Sequence, residues 1–206
     1  MLVVALTGSL GAGKSTVGRA LAARGAVVVD ADAVARRLTA RGTPGEALVL
    51  ERFGDAASAP DGSLDRRALA KLVFSDEAER EALEGITHPL IREEIGTLVA
   101  GARASGAPIA VLELPLLGSP ARREQYGVDV VVLVDTPVDE AVRRVVQKGM
   151  TEEDALARLA AQPSEAERKS VADKVFSNAS GLEELDGRVD ELWDYLLDLA
   201  QKHRSG

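Results

Sequence analysis

Near its start the chain carries the phosphate-binding motif G-x-x-x-x-G-K-[ST], formed by Gly8, Ser9, Leu10, Gly11, Ala12, Gly13, Lys14 and Ser15. Glycines let the backbone curl until its N–H groups point at a phosphate, and the following helix adds the positive end of its dipole. Lys14 supplies charge to the β- and γ-phosphates, and the hydroxyl of Ser15 suits Mg²⁺. The alternative is a glycine turn that only joins a strand to a helix. Because an apolar strand precedes the motif and a helix follows it, the sequence predicts a nucleoside triphosphate site at Gly8–Thr16.

Two carboxylates, Asp30 and Asp32, follow the second predicted strand. Ligands in α/β folds bind outside the carboxyl ends of the strands, so Asp32 would face the phosphate site. A carboxylate there can accept the proton of an attacking hydroxyl. Alternatively, Asp30 or Asp32 caps a helix that begins at about Ala33. The sequence leaves both interpretations open, and two carboxylates allow both roles at once.

Two further predicted strands end in a carboxylate, Glu113 and Asp135. Either residue could hold Mg²⁺ or one of its water ligands beside the phosphate-binding loop. We favour Glu113, because it is followed by Leu-Pro-Leu, as in small-molecule kinases whose acidic residue lies beside the strand that precedes the loop. The segment from Asp135 to Pro137 is equally typical of a helix N-terminus with proline in its first turn.

Basic residues cluster on the helix predicted after the fourth strand, at Arg143, Arg144 and Lys148, and Arg168 lies on a later helical segment. Phosphoryl transfer needs cations that neutralise charge on the transferred group, so these side chains would suit a lid over the phosphates. A solvated helix face is the commoner role of such residues. Only their position in the predicted fold favours a function in transfer.

A last cluster contains His88, Pro89 and Arg92. A histidine before proline is kept extended, which predicts a loop that ends where a helix begins at Pro89. Capping or packing is the ordinary role of such a histidine. With Arg92 one turn further on, it could also line a cleft for an anionic substrate.

These side chains need a sheet that brings several strand ends together. Five apolar runs predict strands, at Leu2–Leu6, Ala26–Val29, Ile109–Glu113, Asp129–Asp135 and Lys174–Phe176. Helical spacing predicts helices between them and a long final helix at Leu182–Ala200, followed by a frayed tail at Gln201–Gly206. Strands that alternate with helices predict an α/β fold of three layers around a mostly parallel five-stranded sheet.

The whole chain is predicted to form one P-loop kinase domain with three parts. The nucleotide-binding core takes about residues 1–32, 105–138 and 172–206, and a helical insertion that binds the acceptor takes about residues 33–104. We name residues 139–171 the lid segment, because their short helices and basic side chains are expected to close over the nucleotide.

Composition excludes several classes of protein. The net charge of −8 and only six aromatic residues argue against a surface that binds nucleic acid. The absence of cysteine excludes disulfides, thiol catalysis and zinc–cysteine sites. The longest apolar run, Met1–Leu6, is too short to cross a membrane, so a soluble, cytoplasmic protein is expected.

Taken in order, the motifs resemble the dephospho-coenzyme A kinase family over roughly Val3 to Trp193. The motifs that carry the resemblance are Leu6–Thr16, Asp30-Ala31-Asp32 with Ala35-Arg36, Phe53-Gly54, Asp61–Arg66, Leu83-Glu84, His88-Pro89, Ile91-Arg92, Pro115-Leu116-Leu117, Val134-Asp135, Arg158 to Gln162, Ala172-Asp173 and Asn178. The Asp-Gly-x-Leu-Asp-Arg and His-Pro-x-Ile-Arg motifs are not general features of P-loop proteins, so they make the match specific.

The resemblance implies transfer of the γ-phosphoryl group of ATP to the ribose 3′-hydroxyl of dephospho-coenzyme A, the last step of coenzyme A synthesis. It implies Asp32 as catalytic base, Lys14 and Ser15 as phosphate and magnesium residues, and Arg144 and Lys148 as lid cations. It also implies acceptor binding by Arg66, His88 and Arg92, with the Asn178 loop near the adenine of ATP.

The sequence departs from the family pattern after Leu117, where Gly118-Ser119-Pro120 replaces the usual Phe-Glu. A kinase for another small hydroxylated metabolite and a GTP-dependent switch are the alternatives, although the chain has no Asn-Lys-x-Asp motif for guanine. A P-loop fold that serves only as a scaffold is disfavoured, because Lys14 and Ser15 are both present. The sequence does not determine the oligomeric state.

Overall fold

A computed structural model describes residues 1–114, 120–179 and 182–205. The departure at Gly118-Ser119 and the Pro115-Leu116-Leu117 motif lie outside the described residues. The chain divides into two compact units, which we name the core unit (residues 1–30 and 98–206) and the insertion unit (residues 31–97).

The core unit contains a five-stranded sheet with β1 at Leu2–Gly8, β2 at Val27–Asp30, β3 at Ile109–Glu113, β4 at Val130–Asp135 and β5 at Lys174–Ser177. Its order is β2-β3-β1-β4-β5, and every neighbouring pair is parallel. The central strand, β1, is buried along its whole length, as expected for an apolar run covered on both faces. Because all strands run the same way, their carboxyl ends meet at one edge. The predicted parallel α/β fold is therefore confirmed.

The described helices are, in chain order, α1 Lys14–Ala23, α2 Ala31–Leu38, α3 Pro44–Phe53, α4 Arg66–Ser75, α5 Glu77–Ala104, α6 Pro120–Gln125, α7 Val138–Val146, α8 Glu152–Ala160, α9 Glu165–Ser170 and α10 Leu182–Ser205, with a short 3₁₀ helix at Gly54–Ala57. Side chains of α1 and α10 pack on the sheet, with Val17 and Leu196 fully buried beside Leu6 and Val132. No helix in the described part of the chain is long and apolar enough to span a membrane.

In the insertion unit, α3 and α4 pack around Val49, Phe53 and Leu69. Two caps that local sequence supplies delimit these helices. The Thr43 hydroxyl accepts the N–H of Glu46 at the start of α3, and the Asp65 carboxylate accepts the N–H groups of Arg67 and Ala68 in the first turn of α4.

Three predicted helix boundaries are wrong, whereas the strand boundaries differ by no more than one or two residues. Helix α5 continues through Pro89, where we expected a helix to begin. Before the proline, Leu83 and Ile86 pack against the apolar cluster of the insertion unit, and after it Ile91 is buried. These apolar contacts on both sides of Pro89 keep the helix continuous. The interior proline costs about 3 kcal/mol, and each large apolar side chain that is buried returns about 1.5–3 kcal/mol.

The other two corrections concern a helix end and a helix start. The expected tail after Ala200 is helical to Ser205, since Ala200 is fully buried and Lys202 pairs with Asp198 one turn earlier. Helix α2 begins at Ala31 and not at Ala33, so Asp32 lies inside its first turn rather than at the cap position.

Candidate functional site

The phosphate-binding loop of the core unit has the tight backbone that its glycines predict. Gly13 has φ 92° and directly precedes α1, and a Cβ on this residue would lie 2.3 Å from Nδ2 of Asn178. A larger residue at this position would therefore meet both backbone strain and a steric clash. The first turn of α1 contains no acidic residue, so its N–H groups and dipole remain suited to an anion.

Two buried polar side chains hold the loop from the edge of the sheet. The Thr136 hydroxyl donates to the carbonyl oxygen of Ala12 at 3.0 Å, and Asn178 Nδ2 donates to the same oxygen at 2.7 Å. Thr136 and Asn178 are only 7% and 6% exposed. Both follow the carboxyl ends of strands, so the sheet itself fixes the shape of the loop.

Lys14 lies beside the concave side of the loop. Its ammonium group donates to the carbonyl oxygens of Gly8 at 2.7 Å and Ser9 at 3.0 Å. These contacts keep the positive charge next to the backbone that would surround a phosphate.

Ser15 and Glu113 form a further polar contact of the loop. The Ser15 hydroxyl donates to Glu113 Oε2 at 3.0 Å, and Glu113 is paired in register with Asp30 of the neighbouring strand. Burial raises the pKa of the Glu113 carboxyl, the Ser15 hydrogen bond opposes that rise, and the nearby Asp30 charge adds to it. Gly18 of α1 leaves room for the carboxylate, because a Cβ there would lie 2.2 Å from Glu113 Oε1.

Asp135, the alternative to Glu113, has different neighbours. Its Oδ2 lies 3.6 Å from Lys169 Nζ, within the lid segment. Pro137 stands at the cap position of α7, so the segment from Asp135 to Pro137 is the helix N-terminus that the sequence indicates, although no side chain caps the helix. The contacts of the two carboxylates support Glu113 as the residue beside the loop.

A cavity of about 1140 Å³ opens over the loop. Its lining includes six basic side chains, Lys14, Arg19, Arg143, Arg144, Lys148 and Arg158, and two acidic ones, Glu140 and Asp154. The local excess of positive charge contrasts with the net charge of −8 for the whole chain. The size and charge suit a polyphosphate nucleotide.

Arg144 bridges two parts of this cavity. Its Nε donates to Glu140 Oε1 at 2.7 Å, and its Nη2 donates to the carbonyl oxygen of Asn178 at 2.9 Å. Arg143 also pairs with Glu140, at 2.8 Å. The interpretation of a merely solvated helix face is therefore incomplete for Arg144, which these contacts hold beside the loop.

Mg²⁺ bound with a nucleotide usually takes one or two protein oxygens and completes its shell with phosphate oxygens and water. The hydroxyl of Ser15 and the carboxylate of Glu113 are hard oxygen donors of this kind at adjacent positions. Within the described residues there is no cluster of three or more His, Asp or Glu that could form an all-protein metal site. The donors present fit a nucleotide-bound Mg²⁺.

The remaining predicted residues belong to the insertion unit. Asp32 lies in the first turn of α2. Arg66 begins α4 and donates to the carbonyl oxygens of Arg36 at 3.0 Å and Thr39 at 2.7 Å, at the end of the helix that carries Asp32.

His88 and Arg92 lie one turn apart within α5, and His88 Nδ1 is 3.9 Å from Glu84 Oε2. The structure thus groups Gly8–Thr16, Glu113, Arg144 and Asn178 in the core unit. It places the predicted base and the acceptor residues in the insertion unit.

The family model described as "CoaE: Dephospho-CoA kinase" matches residues 2–184. The chain belongs to the dephospho-CoA kinase family. The resemblance in the motifs is confirmed, and with it the function of an ATP-dependent dephospho-CoA kinase, the enzyme of the last step of coenzyme A biosynthesis.

Individual relatives of this family extend the match along the chain. A dephospho-CoA kinase of Frankia casuarinae is 45% identical over 197 residues, which are 96% of this chain and 84% of that protein. The crystal structure of TT1252 from Thermus thermophilus is 36% identical, covers 95% of this chain and 97% of its own, and superposes with a TM-score of 0.78. A dephospho-CoA kinase structure from Campylobacter jejuni shares the fold at 22% identity, with a TM-score of 0.68 over 95% of this chain and 97% of its own.

The sequence alone assigned no role to three residues near the loop, Thr136, Gln162 and Gly18. Thr136 and Gln162 contact loop residues that lie 124 and 152 positions away in the chain, so no local pattern indicates these contacts. The sequence did carry a signal for Gly18, because a glycine inside a helix is costly and often marks the close approach of another group.

Proposed function

We propose that the cavity of the core unit binds ATP and that the chain transfers the γ-phosphoryl group to the ribose 3′-hydroxyl of dephospho-coenzyme A. The products are coenzyme A and ADP. The single observation that carries this proposal is the phosphate-binding loop, preformed beside the Ser15–Glu113 pair in a chain of this kinase family. Residues Gly8–Thr16 would bind the triphosphate, with the Asn178 loop beside the adenine.

Lys14 and Arg144 would neutralise charge during transfer. The Lys14 ammonium lies at the carbonyl oxygens of Gly8 and Ser9, next to the loop backbone that would surround the phosphates. Arg144 is already fixed at the cavity by Glu140 and by the Asn178 carbonyl, so its guanidinium requires little reorganisation when charge develops. Lys148 lines the same cavity and would add a further cation.

Ser15 and Glu113 would hold Mg²⁺, Ser15 through its hydroxyl and Glu113 directly or through a water ligand. When bound, Mg²⁺ neutralises phosphate charge and orients the β- and γ-phosphates. Glu113 can bind a cation only as the carboxylate, and its raised pKa makes the proton a competitor at acidic pH.

Asp32 would act as the general base. It would accept the proton of the 3′-hydroxyl while that oxygen bonds to the γ-phosphorus and the bond to the ADP oxygen breaks. Arg66, His88 and Arg92 would bind the anionic groups of the acceptor, in agreement with their positions within the insertion unit. The prediction of a cytoplasmic enzyme that binds neither nucleic acid nor membrane belongs to this proposal.

Purified protein incubated with ATP, Mg²⁺ and dephospho-coenzyme A should form coenzyme A and ADP in equal amounts. Formation of ADP without coenzyme A, or of neither, would overturn the proposal. GTP in place of ATP tests the alternative of a guanine-nucleotide switch in the same assay.

Asp32→Asn tests the base. The amide keeps the size of the side chain but cannot accept the proton, so kcat should fall at least about 100-fold while the affinity for ATP stays within about twofold. Equal losses in kcat and in ATP affinity would indicate a structural role for Asp32. Glu51→Gln, an exposed change on α3, is the matched control and should leave both quantities unchanged.

A further inference from the structure

Leu10 is a variable position of the phosphate-binding motif, but its backbone has a specific partner in the lid segment. The Leu10 N–H donates to Gln162 Oε1 at 3.0 Å, across 152 positions of the chain. Gln162 directly follows Ala161, the C-cap residue of α8, and its own N–H donates to the Leu159 carbonyl at 3.1 Å. The side-chain oxygen is therefore presented from a fixed helix end.

The side chain of Leu10 contacts the same part of the molecule. It packs against an apolar cluster in which Val142 and Val145 of α7 meet the fully buried Ala155 of α8. Met150 and Leu159 complete this cluster. One loop residue is thus anchored to the lid segment twice, by a hydrogen bond from its backbone and by apolar contacts of its side chain.

These contacts are distinct from those that hold the next part of the loop. Ala12 is fixed through its carbonyl oxygen by Thr136 and Asn178, which follow strands of the sheet. Leu10, two residues earlier, is fixed by helices outside the sheet. The sheet and the lid segment therefore each determine the position of one side of the loop.

We propose that Gln162 and Leu10 are positioning residues that couple the lid segment to the phosphate-binding loop, so that loss of either contact weakens binding of the ATP triphosphate. The inference rests on the proposed ATP site. It adds that the affinity of this site depends on the packing of α7 and α8, although Gln162 itself need not touch the nucleotide. Moving the loop by a fraction of an ångström misaligns several N–H groups at once, and hydrogen bonds weaken steeply with misalignment.

The hydrogen-bond arm is tested with Gln162→Met, which keeps the length of the side chain and removes the acceptor. The Kd for Mg-ATP, measured by calorimetry, should rise about three- to tenfold, the change expected for one hydrogen bond. The Leu10 amide should exchange with solvent at least about tenfold faster, a readout independent of activity. Gln125→Met, at the exposed end of α6, is the matched control and should change neither quantity.

The packing arm is tested with Leu10→Ala and with Leu156→Ala as its control, since Leu156 is a 47% exposed leucine of the same α8. Leu10→Ala should also weaken Mg-ATP binding about three- to tenfold, whereas Leu156→Ala should not. Because both contacts position the same residue, the double variant Leu10→Ala/Gln162→Met should lose less affinity than the product of the single losses.

Wild-type Mg-ATP affinity and an unchanged Leu10 exchange rate in folded Gln162→Met would overturn the coupling, as would strictly multiplicative losses in the double variant. The proposed ATP site is judged separately, by the wild-type chain and Lys14→Ala. If the wild type fails to bind Mg-ATP, or Lys14→Ala binds it equally well, the site itself is wrong.

Discussion

The substitution Gly18→Ala should disturb the Ser15–Glu113 pair, and with it the Mg²⁺ dependence of the reaction, more than it disturbs the stability of the fold. Gly18 lies inside α1, and an added Cβ would be 2.2 Å from Glu113 Oε1 and 3.2 Å from Cδ of the same carboxylate. The oxygen would have to move by about 1 Å to reach an ordinary non-bonded distance. It is the end of a flexible side chain, so we expect the carboxylate to move rather than the backbone.

The displaced carboxylate should lose its contact with Ser15. That hydrogen bond measures 3.0 Å, and a shift of about 1 Å takes it beyond hydrogen-bond range. A hydrogen bond to a charged group contributes about 1.5–3 kcal/mol, which corresponds to a factor of about 10–150. Alanine in place of glycine inside a helix is favoured by about 1 kcal/mol, which offsets the steric cost to the fold. The fold should therefore lose no more than about 2 kcal/mol, and the main effect should appear in function.

The assay is the rate of coenzyme A formation as a function of free Mg²⁺. Gly18→Ala should raise the Mg²⁺ concentration for half-maximal rate at least about tenfold. Glu113→Asp withdraws the carboxylate from the added methyl group, so Gly18→Ala should have a smaller effect in that background. Gly187→Ala is the matched control, because nothing lies within 4 Å of an added Cβ at this glycine of α10. If Gly18→Ala keeps the wild-type dependence on Mg²⁺ and raises Tm as much as Gly187→Ala does, the added Cβ does not displace the Glu113 carboxylate and the prediction is wrong.

Two further predictions concern the loop and its carboxylate. Thr136→Val removes a donor to the Ala12 carbonyl without changing shape, so it should lower the free energy of unfolding by about 1–2 kcal/mol in denaturant titrations; an unchanged free energy of unfolding would contradict this and would mean that Asn178 Nδ2 alone satisfies the carbonyl. Burial raises the folded-state pKa of Glu113, so its contribution to stability is present below its unfolded pKa and is lost as pH rises through the folded value. Glu113→Gln should accordingly raise Tm at neutral pH and change it less near about pH 4; an equal change at both pH values would contradict this.

Local sequence predicted the parts of the structure that local interactions determine. The β-branched run Ile109–Glu113 is a buried strand with the expected bounds, because such a run favours extended backbone and is apolar on both faces. The phosphate-binding loop was predicted for the same reason, since its glycines and Lys14 act through the backbone of a single short segment. For Glu113, its position at the end of a parallel strand was enough to bring it to the edge where the loop lies.

The parts that local sequence did not predict depend on contacts between distant segments. Pro89 indicated a helix start, but apolar contacts on both of its sides outweigh the local preference. The carbonyl of Ala12 and the N–H of Leu10 find their partners 124 and 152 positions away, at Thr136 and Gln162. A side chain that fixes a loop from another element leaves no periodic pattern in the sequence, so its role emerges only from the fold.

The charge near the loop, rather than the net charge of the chain, determines which ligand the cavity suits. The chain carries −8 overall, yet the cavity over the loop has six basic and two acidic side chains in its lining. At physiological ionic strength the Debye length is about 8 Å, so exposed carboxylates beyond that distance contribute little to the potential at the loop. Lys14, Arg144 and the N-terminus of α1 lie within that range of the loop backbone or directly adjoin it. An acidic chain can therefore bind a polyphosphate, because the potential at the loop is set by the nearby cations and the helix N-terminus rather than by the net charge.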